Sequence, residues 1–207
     1  AVAIPKKTGG ERVLGVPTIT DRIAQTVAKR VFEPLVEPIF IQDSYGYRPG
    51  RSAHDALAVV RQRCWKYDWV VEFDIKGLFD HINHDWLIKM LEHRIADRSL
   101  IRIIRKWLKA GVMEEGMLSY RDEGTPQGGP LSPLLANVML DEVDRELERR
   151  GHKFVRYADD SNVYVRSRQA GKRVLQALRG CYAKLALKVN ESKTAVAEVW
   201  GRKFLGY

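Results

Sequence analysis

Residues 154–165 read FVRYADDSNVYV, and this stretch decides how the second half of the chain folds. Two alternating runs of β-branched and aromatic residues flank the adjacent carboxylates Asp159 and Asp160, a pattern that predicts two strands joined by a tight turn. Side chains alternate along a strand, so both acids point the same way only if the turn bends them. A divalent cation such as Mg²⁺ would relieve the repulsion between them, whereas a solvated Asp-rich turn is the plain alternative.

The composition indicates a globular, basic protein. The chain has 207 residues, 45% of them apolar, which is enough for one large domain or two intertwined subdomains. Its formal net charge of +9 favours a polyanionic partner, although many basic proteins bind no nucleic acid. We recognise no signal peptide and no apolar run that could span a bilayer, so we expect no membrane association and a reducing, cytosolic setting.

Two groups of potential metal ligands are assigned to structural roles. Cys64 and Cys181 are far apart and lie in apolar helical patterns, so we expect buried free thiols. His81 and His84 lie near Asp80 without an apparent third ligand, so we assign them to the turn and helix cap that follow it.

Periodicity places the remaining elements. A helix from Thr20 is expected to end before Pro34, and a capping box of Ser52 and Asp55 starts another. Gly116 reads as the turn of a hairpin. Further helices are predicted at about 84–94, 99–110, 134–147 and 169–186, and short strands at 187–189 and from 203 to 207. This order suits an antiparallel sheet with helices on one side.

Asp74 is the second acidic anchor. The predicted strand 69–75 places Val71 and Phe73 on one face and Asp74 on the other. Asp159 also ends a strand, so antiparallel pairing would bring three carboxylates together. Such a set could hold two Mg²⁺ ions about 3.5–4 Å apart, the arrangement for in-line displacement at phosphorus. A strand-end aspartate that faces water is the alternative.

Three stretches resemble the successive motifs of reverse transcriptases. They are FDIKGLFD at 73–80, GTPQGGPLSP at 124–133 and YADD at 157–160, and the closest likeness is to group II intron-encoded reverse transcriptases, also called maturases. Other stretches with similar motifs are 4–6 with Arg12, 21–22, 44–51, 187–193 and 204–207. The resemblance covers essentially the whole chain, in order, and several ordered motifs are far more specific than one.

The resemblance implies a magnesium-dependent site. Asp74 and Asp159 would be ligands of two Mg²⁺ ions, with Mn²⁺ as a possible substitute, and Asp160 would complete the acidic site. The carbonyl of Ile75 would add a further ligand.

It also implies contacts with the incoming nucleotide. Phe79 stands where the family has a steric gate against the 2′-hydroxyl, or else is a core aromatic, and Gln127 would contact the nucleotide from a loop that could equally be a mere connector. Lys6 and Arg12 would grip the triphosphate, and Lys193 would protonate the leaving pyrophosphate. A solvated surface is the alternative for each cation.

The resemblance further implies contacts with nucleic acid. Arg48 and Arg51, beside two tyrosines, suit the template backbone, or else they organise their own loop. Gly206 and Tyr207 fall in what resembles the primer-grip hairpin.

The implied fold is α+β, with the fingers and palm of a right-hand polymerase. The palm would be a ferredoxin-like or RRM-like antiparallel sheet backed by helices. We expect fingers at 1–66 and 87–124, and palm at 67–86 and 125–207. The thumb, maturase and endonuclease domains are expected to be absent, which would make this chain a fingers-and-palm piece that could dimerise through surfaces normally covered.

The leading hypothesis is an RNA-directed DNA polymerase core that supports intron mobility and splicing. Its partners would be an RNA template, a DNA primer, dNTPs and group II intron RNA, in a bacterial cytoplasmic, nucleoid-associated or ribonucleoprotein setting. One alternative is an RNA-binding splicing cofactor whose polymerase site is dispensable. Another is a related reverse transcriptase from a retron or CRISPR-associated system, which the extended loop at 124–133 makes less favourable.

Overall fold

The computed structural model describes residues 2–5, 11–114, 117–120, 122–126 and 128–207, with backbone alone at 11–13, 112, 114, 117 and 118. The predictions on Lys6, Gly116 and Gln127 lie outside the described residues. The chain forms two compact units. They are Ala1–Pro38 with Gly77–Met139 (unit 1) and Ile39–Lys76 with Leu140–Tyr207 (unit 2). Each unit combines two separate segments, and the fingers and palm borders given above remain predictions.

The elements follow one another along the chain in a mixed order. The strands are β1 (Val2–Pro5), β2 (Glu11–Leu14), β3 (Trp69–Phe73), β4 (Val112–Glu114), β5 (Met117–Ser119), β6 (Lys153–Tyr157), β7 (Asp160–Val165) and β8 (Ala195–Glu198). The helices are α1 (Ile19–Val36), α2 (Ala53–Cys64), α3 (His84–Glu92), α4 (Arg98–Leu108), α5 (Ser132–Arg149) and α6 (Arg168–Lys184), with short 3-10 helices at Glu37–Ile39 and Leu78–Asp80.

Unit 2 contains a four-stranded antiparallel sheet in the order β6-β7-β3-β8. β3 lies between β7, where Phe73 pairs with Ser161, and β8, where Glu72 pairs with Ala195. β6 and β7 are the two strands of the hairpin predicted around Asp159. This antiparallel sheet with packed helices confirms the α+β class.

One face of the sheet packs against α6. Gly171 lets the helix approach closely, because a side chain there would collide with Val196 of β8. Val71 and Phe73 are buried on this face as predicted, and the Phe73 ring stacks on Tyr182 with centroids 4.5 Å apart. Burying each such side chain contributes about 2 kcal/mol, so this face holds the core of the unit.

The opposite face packs against α2, so the prediction of helices on one side only is wrong. Ala56 of α2 is fully buried against a cluster that includes Val70. Val70 and Val71 are consecutive in β3 and therefore point to opposite faces, and each face needs apolar cover. The predicted capping box of Ser52 and Asp55 does start α2.

α1 in unit 1 continues through Pro34 to Val36, so the predicted end before Pro34 is wrong. Phe32 and Val36 are fully buried, and their packing outweighs the one helical hydrogen bond that proline cannot donate. The apolar periodicity that predicted this helix lies on its exposed side, which carries Ile19, Ile23, Val27, Val31 and Leu35.

The two short strands predicted near the end of the chain are not formed. Segment 187–189 contributes one isolated β-bridge, at Val189. Segment 203–207 is a turn in which the amides of Phe204 and Tyr207 each donate to the other's carbonyl, at 3.0 and 3.1 Å. The sheet takes its fourth strand from β8 instead.

Among the described residues, no helix is long and apolar enough to cross a membrane. Cys64 and Cys181 are free, but both are partly exposed, which corrects the expectation of burial. Cys64 packs at the border of the α2 cluster, and this burial still raises the pKa of its thiol.

Candidate active site

The predicted turn is a two-residue connection between β6 and β7, with Tyr157 paired to Asp160 across it. Ala158 takes the first turn position with a φ of 58°, and Asp159 takes the second. A positive φ at the first position alone is typical of a type II′ turn, which normally has glycine there. A non-glycine residue in this region costs on the order of 1–3 kcal/mol, and such strain concentrates at functional sites.

Arg156 anchors this turn from inside unit 2. Its guanidinium is fully buried and pairs with Asp144 of α5, with Nε 2.9 Å from Oδ1 and Nη2 2.6 Å from Oδ2. Nη2 also donates to Ser44 Oγ at 2.7 Å, and Nη1 donates to the carbonyl of Ala158 at 2.9 Å. One side chain therefore links a helix, a loop and the strained turn residue.

The loop before α2 supports the same turn from the backbone. The Tyr45 amide donates to the Arg156 carbonyl at 2.8 Å, and the Arg156 amide donates to the Asp43 carbonyl at 2.9 Å. Gly46 lies so close that a side chain there would collide with the backbone nitrogen of Ala158. The position of Asp159 is thus fixed by tertiary contacts as well as by its hairpin.

Asp74 directly follows β3 and is held by the segment 190–194. Asn190 Nδ2 donates to Asp74 Oδ2 at 2.7 Å, and the Asp74 amide donates to Thr194 Oγ1 at 3.3 Å. Lys193 Nζ lies 4.0 Å from Asp74 Oδ2. This carboxylate is mostly buried and oriented before any ligand binds.

Asp74 and Asp160 line one open depression of about 190 Å³, together with Lys193. The pKa of the Asp160 carboxyl is raised, mainly because the surrounding atoms remove part of its hydration. The charges of Asp159 and Asp74 raise this pKa further, and Lys193 opposes them. The structure therefore brings Asp74 and Asp160 together at this depression, while Asp159 acts on Asp160 through its charge without lining it.

This donor set fits a divalent cation by its chemistry. Among the described residues, no three His, Cys, Asp or Glu side chains already converge as a metal-binding group. Asp74, Asp159 and Asp160 nevertheless offer the hard oxygens that Mg²⁺ or Mn²⁺ takes, and a cation would relieve their repulsion. To bind one cation together, the three carboxylates would have to move closer to one another. The Ile75 carbonyl remains a predicted ligand.

In unit 1, the turn that carries Phe79 is tied to the loop that leads to Gln127. The Thr125 amide donates to the Phe79 carbonyl at 2.6 Å, and a side chain at Gly124 would collide with the same carbonyl. Phe79 itself is 8% exposed. Both the steric gate and the core aromatic remain compatible with this burial.

The nearby histidines have structural partners. His81 Nδ1 lies 2.8 Å from Glu123 Oε1, and His84 Nε2 lies 2.6 Å from the Gly124 carbonyl. His84 is the first residue of α3. These contacts give both histidines structural roles, but the N-cap of α3 is Asn83 rather than a histidine.

The loop arginines donate to their own loop. Arg48 is buried, and its Nη1 donates to the carbonyls of Ile41 and Ser44 at 2.6 and 2.7 Å. Arg51 Nη1 donates to the carbonyl of Gln42 at 2.7 Å. The alternative of loop structure therefore accounts for Arg48, and template contact remains a prediction for both arginines.

Arg12, Gly206 and Tyr207 lie in β2 and in the turn that ends the chain. Arg12 belongs to β2, and its side chain lies outside the described atoms. Gly206 has a φ of 89° in the turn that ends the chain, and Tyr207 is 72% exposed. Their contacts with triphosphate or primer stay predictions.

Four residues of the site were missed by sequence reasoning. Asn190 and Thr194 fall in a polar run without periodicity, and the motif-like stretch 187–193 includes Asn190 but ends before Thr194. Arg156 and Asp144 belong to different elements, so no local pattern could reveal their pairing.

Residues 4–207 match the model of one protein family, described as reverse transcriptase (RNA-dependent DNA polymerase). The chain belongs to the reverse transcriptase family. The match covers the three carboxylates, the Phe79 turn and the loop at 124–133, and it confirms the resemblance found from the motifs.

Relatives of this reverse transcriptase chain include intron-encoded proteins. The group II intron-encoded protein LtrA of Lactococcus lactis subsp. cremoris is 43% identical over 145 residues, which cover 70% of this chain and 24% of LtrA. Protein YkfC of Escherichia coli K12 is 40% identical over 154 residues, which cover 72% of this chain and 40% of YkfC. The chain thus spans well under half the length of these relatives.

Solved structures support the fold alone. Telomerase from Candida tropicalis, in complex with a fragment of telomeric RNA, aligns with 99% of this chain and 42% of its own at a TM-score of 0.76 and 16% identity. Telomerase from Candida albicans aligns with 98% of this chain and 42% of its own at a TM-score of 0.67 and 17% identity.

Asp160→Asn should raise the melting temperature of this reverse transcriptase chain at pH 7 without metal, and weaken its binding of Mn²⁺. Because the folded pKa of Asp160 is raised above 3.8, the carboxyl stabilises the fold below that value and loses this contribution as pH rises through the folded pKa. In thermal melts, the melting temperature of Asp160→Asn should therefore exceed that of the parent at pH 7, and this difference should shrink below about pH 4. The exposed Asp68→Asn serves as control, and a lower melting temperature for Asp160→Asn at pH 7 would contradict the coupling.

Proposed function

We propose that this chain is the catalytic core of an RNA-directed DNA polymerase of the group II intron-encoded type. The observation that carries the proposal is the shared depression of Asp74 and Asp160, at the ends of paired strands in a reverse transcriptase fold, where the charges of Asp74 and Asp159 both act on Asp160. The intron-encoded relatives support the type of parent protein. The direct test is extension of a DNA primer on an RNA template by this chain with Mg²⁺ and dNTPs.

The acids would hold two Mg²⁺ ions, with Mn²⁺ as a substitute. Bound there, the ions would activate the primer hydroxyl and neutralise charge on the departing pyrophosphate. Asp159 contributes from the strained turn, and Asp74 from a position already fixed by Asn190. Lys193, 68% exposed beside Asp74, would donate a proton or a hydrogen bond to the anionic leaving group.

The depression beside the acids is suited to a charged substrate. Its lining combines carboxylates with Lys193 and Lys203, which matches a metal-bound phosphate chain better than an apolar ligand. Lys6, Arg12 and Gln127 complete the proposed nucleotide contacts.

Phe79→Val tests the proposed selection of the sugar. If Phe79 is the gate, the smaller side chain should raise incorporation of ribonucleotides relative to dNTPs by on the order of tenfold or more, because a steric penalty of about 1.4 kcal/mol corresponds to tenfold. The measurement is competitive primer extension with matched rNTP and dNTP. Leu78→Val, a buried neighbour in the same 3-10 helix, is the control, and unchanged discrimination in Phe79→Val would assign Phe79 to the core.

A binding role without polymerisation is the second candidate. An RNA-binding splicing cofactor would use the basic surface, and the net charge of +9 favours this role as much as catalysis. RNA binding alone does not require three coupled carboxylates, so the acids favour the enzyme.

The proposed setting is a cytoplasmic ribonucleoprotein. Its partners would be template RNA, DNA primer and the group II intron RNA whose mobility and splicing the parent protein supports. A homodimer is also proposed, and the exposed apolar side of α1 is one surface that could contribute.

A further inference from the structure

A second concave surface lies at the other end of the unit 2 sheet. This basic cleft has a volume of about 430 Å³, and its lining includes four cations, Arg150, Lys153, Arg166 and Arg173, together with His152. It opens where β6 begins and β7 ends, beside the first turns of α6. Because β7 runs from Asp160 to Val165 at about 3.3 Å per residue, the cleft lies about 17 Å from Asp160.

The cations of the cleft are poorly neutralised. None of the described residues that line it is acidic. Arg150 bonds Glu146 at 2.7 Å, but that carboxylate is shared with Arg149. Within the part of the chain that the structure describes, the side chains of Lys153, Arg166 and Arg173 have no hydrogen bond or ion pair.

The cations of the cleft repel one another, and a bound anion would relieve this repulsion. Like charges gathered around a concave surface repel one another, and the low-dielectric wall strengthens the field that they create. The floor of the cleft includes Val165 and Val174, and the side chains of Lys153, Arg166 and Arg173 are exposed, so an anion can reach them. The cations of the cleft act on their neighbours: burial and, after it, the charge of Arg150 lower the pKa of half-buried His152.

We propose that the basic cleft is a second RNA-binding site, which takes successive backbone phosphates of an RNA strand at a distance from the polymerising acids. Lys153 begins β6, Arg166 directly follows β7 and Arg173 belongs to α6, so cations from three separate segments suit several phosphates better than one. The amino-terminal end of α6 adds a favourable dipole. This site is independent of the proposed catalysis, since it uses none of the carboxylates.

The test is RNA binding by a triple variant of this chain, Lys153→Gln, Arg166→Gln and Arg173→Gln. Fluorescence anisotropy with a labelled single-stranded RNA should show affinity reduced on the order of tenfold or more near 0.1 M salt, because three phosphate contacts are lost. The slope of log affinity against log salt should fall by about 2, at roughly 0.7 per contact.

The matched control is Arg98→Gln, Arg102→Gln and Lys106→Gln on the exposed side of α4, which removes the same residue types and the same charge. We expect its RNA affinity to stay within twofold of the parent. An equal loss of RNA affinity in both triple variants would overturn the proposed site, because it would show that RNA is attracted by the net charge of the chain alone. Thermal melts verify that both variants fold.

His152 gives a local readout. Its ring NMR signal, assigned with His152→Gln, should shift on addition of RNA in the parent and not in the cleft triple variant. An unchanged signal in the parent would also overturn the proposal. Mn²⁺ binding at the acids should be intact in the cleft variant, whereas Asp159→Asn should still bind RNA, so failure of the cleft and failure of the polymerase site are distinguishable.

Discussion

Asp159→Asn is expected to lower the rate of primer extension on an RNA template by at least about a thousandfold, or roughly 4 kcal/mol of transition-state stabilisation. The change keeps the size of the side chain but removes a charged oxygen donor from the turn between β6 and β7. In the proposed two-metal site, metal affinity and charge balance would depend on that donor. The measurement is single-nucleotide extension by the parent chain and the variant under identical Mg²⁺ and dNTP concentrations.

Two controls keep this result specific. Asp68→Asn makes the same chemical change at an exposed position of unit 2 and should extend primers as the parent does. Binding of Mn²⁺, followed by calorimetry, should weaken at least about tenfold in Asp159→Asn, in line with loss of a ligand. Extension by Asp159→Asn at the parental rate, or unchanged Mn²⁺ affinity, would refute the assignment of Asp159.

Arg156→Met should cost about 3–5 kcal/mol of stability, because it leaves the buried Asp144 without its partner. The loss should appear as a lower midpoint in urea unfolding. Arg149→Met is the matched control, since Arg149 pairs with Glu146 while 68% exposed and its loss should leave the urea midpoint nearly unchanged. A similar loss in both variants would contradict the role of the buried pair.

A double variant separates stability from the position of the turn. Arg156→Met with Asp144→Leu removes both buried charges and should recover much of the lost stability, because apolar pairs of similar volume replace buried ion pairs well. It cannot restore the donor to the Ala158 carbonyl. We therefore expect Mn²⁺ affinity to remain weak in a protein that folds, and parental Mn²⁺ affinity would show that Arg156 has a structural role only.

The parts that could be predicted from the sequence depend on local patterns. The hairpin at Asp159 and the strand that leads to Asp74 are visible because apolar alternation is a property of a few consecutive residues. The capping box of Ser52 is local in the same way. These elements place two of the three acids at strand ends without knowledge of the fold.

The parts that could not be predicted depend on distant packing. The burial of Phe32 and Val36 allows α1 to continue past Pro34, although local rules place the end of the helix there. The hydrogen bond from Asn190 to Asp74 joins residues with no shared pattern. α2 packs on the sheet face that carries Val70. The sequence pattern of β3 does not show whether this second face is buried.

The interleaved order of the two units has a consequence for synthesis. β3 leaves the ribosome with both of its edges unpaired, and its partners β7 and β8 follow only after the whole of the second segment of unit 1. At roughly 5–20 residues per second, the wait lasts several seconds. Throughout that time Trp69–Phe73 is an apolar strand without a neighbour, and it is the segment on which a nascent-chain chaperone would act.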